Sequence, residues 1–162
     1  MEKERLEFCM GRYDHYFDSI NNKSNVLLTL EIFIVGGLVT AYPSLLEKVS
    51  CNLWLHLNMI ILISAGVANL LFITWTSIPF LSKEANSLLY FGAIAQLTPD
   101  EFQTRSSGAS TDAQLNDLRN QVHALATGLH RKFKRLQVAG YLLLFQFAFF
   151  IPLIILIIKN LK

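Results

Sequence analysis

The sequence predicts an all-α integral membrane protein with three transmembrane helices, the first and third extended into the cytoplasm to form a small helical sensing domain. Two observations predict this class. The 162 residues are 52% apolar and only 16% charged, against about 25% charged in an average soluble domain, and the mean hydropathy is +0.39. Three separate stretches also reach the roughly 20 apolar residues that cross a hydrocarbon core about 30 Å thick. Together these exclude a disordered chain, a coiled coil and an ordinary water-soluble enzyme. Two cysteines, Cys9 and Cys51, cannot staple a secreted scaffold. Four histidines without close pairing to them give no metal-site spacing, so no metal and no cofactor is expected.

The elements follow in chain order. Residues 1–25 form a cytoplasmic amphipathic helix, because Leu6, Cys9, Met10, Tyr13, Phe17 and Ile20 recur at three- and four-residue steps and make one stripe. The acids Glu2, Glu4, Glu7, Asp14 and Asp18 and the lack of an apolar run argue against a secretory signal, so this end is expected to stay in the cytoplasm. The first span is 26–46, with Pro43 marking or kinking its far end. A short outer loop, 47–56, leads to the second span, 57–80, which is uncharged and carries Trp75 near one end as an interfacial anchor.

The cytoplasmic segment 81–137 comes next. It has a helix start at Ser82, an apolar run at Leu88–Phe91, and a Thr98-Pro99-Asp100-Glu101 start for a short helix carrying Phe102. Residues 105–111, RSSGAST, read as a flexible turn-rich stretch. A long helix begins at Thr111 or Asp112. Leu115, Leu118, Val122, Leu125, Leu129 and Leu136 form a heptad seam, with Lys132 in one slot. No stop signal separates it from the third span, 138–158, in which Pro152 is tolerable because neighbouring groups satisfy the freed carbonyl. A tail, 159–162, follows. The first helix continues into its span in the same way, so two long helices, 2–42 and 112–158, are expected.

Basic residues orient the chain. Lys3, Arg5, Arg12 and Lys23 precede the first span, and Lys83, Arg105, Arg119, Arg131, Lys132, Lys134 and Arg135 lie between the second and third. Only Lys48 lies in the first loop, with Lys159 and Lys162 in the tail. The excess places residues 1–25 and 82–137 inside.

Several polar groups are site candidates. Glu31 is an acid inside a span, at a cost of about 2.5–3.5 kcal/mol at mid-helix. Thr74 and Gln146 lie at similar depth in the other spans, which makes a polar layer: a pore-lining or gating layer, or hydrogen-bonding glue between helices. Small residues, Gly36, Gly37 and Ala41 on the first span and Ser64, Ala65, Ala68 and Asn69 on the second, permit close helix approach. Asn21, Asn22 and Lys23 sit where the first span leaves the membrane, as cap or as ligand contacts. Lys23 and the Arg131–Arg135 cluster suit lipid headgroups or another phosphate. Tyr13, Tyr16, Tyr90, Phe91, His15, His123 and His130 offer aromatic faces for core packing or for stacking on a base. No nucleophile elbow, zincin helix or phosphate-cradling glycine loop is present, which argues against an enzyme.

Three tracts then carry a resemblance: Ile20-Asn21-Asn22-Lys23-Ser24-Asn25 before the first span, Tyr90-Phe91-Gly92-Ala93-Ile94-Ala95 after the second, and the basic helix Leu118–Leu125 with Arg131-Lys132-Phe133 running into the third. In order and spacing the chain resembles the transmembrane effector domain of Pycsar antiphage defence systems. Lys23 matches the family's first motif, while Asn21 and Ala93 stand where it carries acids. The resemblance implies an inner-membrane effector that binds a cyclic nucleotide, mono- or oligomeric, made by a partner cyclase, and then breaches the membrane. A homo-oligomer in contact with lipid and no nucleic-acid polymer is implied. Candidate ligand residues are Asn21, Asn22, Lys23, Tyr90, Phe91, Arg119, His123 and Arg131. The alternatives are a non-sensing membrane assembly subunit, or a small oligomeric channel or transporter centred on Glu31.

Overall fold

The computed structural model describes residues 1–48, 53–78 and 87–160, and among these it is all helix and turn, with no strand. Five helices follow one another: α1 Glu2–Lys48, α2 Leu53–Ser77, α3 Phe91–Ile94, α4 Pro99–Gly108 and α5 Thr111–Asn160. α1, α2 and α5 are long and apolar enough to cross a membrane. The expected outer loop, 47–56, is described only at 47–48 and 53–56, which are helical, and Cys51, Phe80, Ser82 and Lys83 lie outside the described residues.

The bounds of α1 and α2 depart from their sequence limits. α1 continues through Pro43 to Lys48, because a proline removes one N–H and the residues after it, Ser44 to Glu47, impose no second break. α2 starts four residues earlier than position 57. The RSSGAST stretch is corrected more substantially. Arg105 to Gly108 are helical, and only Ala109 and Ser110 interrupt the chain. In this stretch the Ser107 hydroxyl bonds back to the Gln103 carbonyl at 2.8 Å, so it is satisfied within the helix and does not divert the backbone into a turn.

The helix starts are built as the sequence implies. Thr98 Oγ1 accepts from Glu101 N at 3.3 Å while Glu101 Oε2 accepts from Thr98 N at 2.8 Å, a reciprocal capping box with Pro99 in the first turn. At α5 the cap is Ser110, whose Oγ accepts from Ala113 N at 3.2 Å.

The chain divides into two compact units. The first comprises the described residues of 1–19 and 79–132, and the second the described residues of 20–78 and 133–162. In the first unit the predicted stripe of α1 is its half-buried face at Leu6, Cys9, Met10, Tyr13 and Phe17. The α5 seam is displaced from the heptad reading. Its deepest residues are Leu118, Gln121, Gly128 and Lys132, with Leu115, Val122, Leu125 and Leu129 only half-buried. Tertiary packing favours the face on which Gln121 can be hydrogen-bonded over the face with the most leucines.

The second unit is a three-helix arrangement of α1, α2 and α5. Leu38, Leu55, Met59, Leu62 and Leu153 form its apolar core, with Ile34, Tyr42, Phe149 and Phe150 packed around it. Its polarity is inverted relative to a soluble bundle. Glu31, Asn69 and Gln146 are inside, while Phe33, Leu71, Leu144 and Ile151 are outside. Hydrocarbon solvates the outward side chains, and only the interior offers hydrogen-bond partners.

Candidate functional site

Two sites stand out, one in each unit. In the first unit the turn before α3 is clamped to α5 by side chains one helical turn apart. Asp117 Oδ2 accepts from Leu88 N at 2.8 Å. Gln121 Nε2 donates to Ser87 Oγ at 2.8 Å, and the same hydroxyl accepts from Leu89 N at 3.1 Å and Tyr90 N at 3.2 Å. Ser87 and Gln121 are both buried, and the bond between them gives each a partner there. The clamp fixes Tyr90, which enters α3 in extended conformation, and Phe91, whose ring lies 5.1 Å from that of Tyr90. The tyrosine ring folds over Gly92, where a Cβ would lie 2.6 Å from its carbons. A side chain at 92 would have to push the end of that ring aside.

A cleft of about 400 Å³ adjoins the clamp, bordered by Lys3, Glu7, Leu88, Gln114, Asp117 and Leu118 among others. Its volume is within the range of small-molecule sites, about 300–1,000 Å³. Next to the lining residues Lys3 and Leu118 in the chain are Glu2 and Arg119, which form a two-point pair: Arg119 Nε to Glu2 Oε1 at 2.9 Å and Nη2 to Oε2 at 2.8 Å. The guanidinium holds the Glu2 carboxyl below the ordinary carboxylate range, and the carboxylate raises Arg119 in turn. His123 and Arg131 lie further along α5 with exposed side chains.

In the second unit the expected polar layer is a buried cluster with one change of membership. Glu31 and Gln146 are both 1% exposed or less. Thr74 is outside the cluster, exposed, with Oγ1 on the Leu70 carbonyl at 2.8 Å. Asn69 takes its place and donates Nδ2 to Glu31 Oε2 at 3.1 Å and to the Ala139 carbonyl at 3.3 Å. Gln146 Nε2 donates to the Leu62 carbonyl at 3.3 Å. Gly66 lets the three meet. A Cβ there would lie 2.7 Å from Gln146 Nε2 and 3.0 Å from Glu31 Oε1, and would run into Val35. By contrast, Gly36 and Gly37 have open space where a Cβ would be.

Asn21, Asn22 and Lys23 also belong to the second unit. Asn22 and Lys23 border a groove with Val26, Leu27 and Leu136. Nearby on α5, the Arg135 guanidinium stacks 4.3 Å over the Trp75 ring, a cation–π pair close to the last residue of α2. The eight ligand candidates therefore fall into two sets, Asn21, Asn22 and Lys23 in one unit and Tyr90, Phe91, Arg119, His123 and Arg131 in the other. Sequence reading missed Ser87, Asp117, Gln121 and Glu2, since nothing in their local pattern announces a partner 29 to 117 positions away.

A family model described as the Pycsar effector protein domain matches residues 5–159. No curated protein and no solved structure matches the chain.

Proposed function

The chain belongs to the Pycsar effector protein domain family, a multi-pass membrane effector of antiphage defence, and we propose that it binds a cyclic nucleotide in its first unit and then disrupts the inner membrane. The first unit is cytoplasmic in this reading, as the basic residues Arg105, Arg119, Arg131 and Lys132 favour. It acts by binding and not by catalysis, as a homo-oligomer in lipid, and its ligand comes from a partner cyclase.

The observation that carries the reading is the cleft beside the Ser87–Gln121 clamp. Its wall holds one cation, Lys3, and two carboxylates, Glu7 and Asp117. Such a wall suits the hydroxyls and exocyclic amines of a nucleoside better than its phosphate. The phosphate is assigned to Arg119, whose planar fork takes a phosphate in the two-point geometry that Glu2 now occupies. Tyr90 and Phe91 supply ring faces for the base, and His123 and Arg131 stand about one and three turns further along α5 than Arg119. Lys23, with Asn21 and Asn22, is assigned to lipid headgroups. Because α1 and α5 each run unbroken from one unit into the other, ligand held by their first-unit portions has a continuous path to the spans. The ligand drives the change only through a higher affinity for the membrane-breaching state.

Isothermal titration of the full chain in detergent, against cyclic mono- and oligonucleotides, tests the sensing step. Binding by at least one, weakened tenfold or more by Arg119→Met, is expected. No heat and no thermal shift with any of them removes the reading. Dye release from liposomes on adding the binding nucleotide tests the membrane step.

A further inference from the structure

Four buried side-chain oxygens have no hydrogen-bond partner: Glu31 Oε1, Asn58 Oδ1, Asn69 Oδ1 and Gln146 Oε1. All are acceptors. Among the described residues no buried side-chain nitrogen is left unpaired alongside them, so the shortage is one of donors. Asn58 stands eight positions from Gly66, about 12 Å along α2. The other three belong to the cluster that meets at Gly66, near the midpoint of the 25-residue α2. This places three unsatisfied oxygens, one of them on a carboxyl group, in the centre of the hydrocarbon, where each unpaired polar group costs several kcal/mol.

No protein cation answers them among the described residues of the second unit. Glu31 takes part in none of the ion pairs formed by the described residues. The groups that meet it at Gly66 include Val35 on its own helix and the side-chain amides of Asn69 on α2 and Gln146 on α5, both of which act on its carboxyl, and none of these titrates. The ionisable side chains elsewhere in the unit's spans are turned to other tasks. Tyr42 Oη and His56 Nδ1 bond each other at 2.9 Å, eleven residues or about 16 Å along α1 from Glu31, and Tyr141 is exposed and accepts from Gln137.

We infer that the Glu31–Asn69–Gln146 cluster is a cation site, filled by one monovalent cation from the medium, a proton or an alkali metal ion. One carboxylate and two carboxamide oxygens are hard donors that suit such ions. A single positive charge balances Glu31, whereas a divalent ion would leave a net charge in hydrocarbon. A proton supplies one O–H and so serves Glu31 Oε1 and one amide oxygen. An alkali ion engages all three after the amides rotate. The site is independent of the nucleotide reading, since its residues all lie in the second unit.

The test uses the full chain in detergent or nanodiscs. Thermal unfolding is followed in lithium, sodium, potassium and choline chloride at equal ionic strength and across the neutral pH range. In parallel, isotope-edited infrared spectra of wild-type protein carrying labelled glutamate are compared with those of Glu31→Gln. An alkali ion as occupant raises the midpoint over choline by several degrees in wild type and not in Glu31→Gln. A proton as occupant gives a protonated-carboxyl band that vanishes in Glu31→Gln, with no preference among the salts. If Glu31 is an ionised carboxylate throughout and the midpoint ignores every cation, or if Glu31→Gln keeps the cation response, the inference is overturned. Should the variant fail to fold, the wild-type infrared spectrum and the wild-type salt series still separate these outcomes.

Discussion

Asn69 donates its side-chain amide to Glu31 at 3.1 Å, joining α2 to α1 with both side chains at least 98% buried. In membranes such bonds average about 0.6 kcal/mol and reach about 1.7, because the separated helices also find partners. A double-mutant cycle of Glu31→Met and Asn69→Ala is expected to give a coupling of about 0.5–2 kcal/mol. Unfolding in mixed micelles measures it, and additivity of the two single changes would remove the bond as a contributor.

Gly66 is the more sensitive neighbour. A methyl there meets Val35, Gln146 and Glu31, so Gly66→Ala is expected to cost about 1–3 kcal/mol. Gly36→Ala and Gly37→Ala place the methyl in open space and should be neutral or stabilising by up to about 1 kcal/mol. The same unfolding assay ranks the three, and equal effects would mean that close approach at Gly66 is not used.

Ser87→Ala leaves the buried Gln121 amide and two backbone N–H groups without their acceptor. A loss of about 1–3 kcal/mol is expected. Hydrogen exchange should quicken most at Leu89 and Tyr90. If the nucleotide binds beside this turn, its affinity falls as well, whereas Thr98→Ala, at the α4 cap, leaves it unchanged.

The Glu2–Arg119 pair gives a pH dependence of defined sign. Arg119 holds the Glu2 carboxyl below its ordinary value, so the pair's contribution is complete above the unfolded value, about 4.3. It is lost as pH falls through the lower folded value. Carboxyl-carbon NMR should show Glu2 titrating low and returning to the ordinary range in Arg119→Met. Glu101, held low by the Thr98 N–H and hydroxyl, should return in the same way in Thr98→Pro but not in Arg119→Met. Glu2→Gln, which frees the guanidinium, should raise nucleotide affinity several-fold.

Arg135 stacks on Trp75 at 4.3 Å, a contact of about 0.5–2 kcal/mol. In a Trp54→Phe background, Arg135→Gln should shift the Trp75 emission. Quenching by brominated lipid should be strongest for headgroup-proximal bromines. Deep quenching would move the membrane boundary away from residue 75.

Much of this architecture is legible in composition and local pattern. Three runs of about 20 apolar residues must be helices in lipid, because no other unpaired backbone survives there. The Leu6–Phe17 stripe follows from a period of 3.6, and the Thr98–Glu101 box from bonds that reach only three residues. Glu31 and Gln146 could be singled out as costly at their depth. Depth alone could not choose between Thr74 and Asn69. They are five positions apart on α2, and five residues turn a helix well past one full turn, so only one of them faces inward.

The sequence by itself determined that the chain is a helical membrane protein with three spans, since length, hydropathy and caps act within one segment. Only the tertiary structure decided that Asn69 answers Glu31, that Gly66 and not Gly36 is the close approach, that Gln121 outranks the leucine seam, and that Glu2 holds Arg119. Those choices depend on which faces of separate helices meet, and rotating one helix by a single residue, about 100°, would exchange every partner.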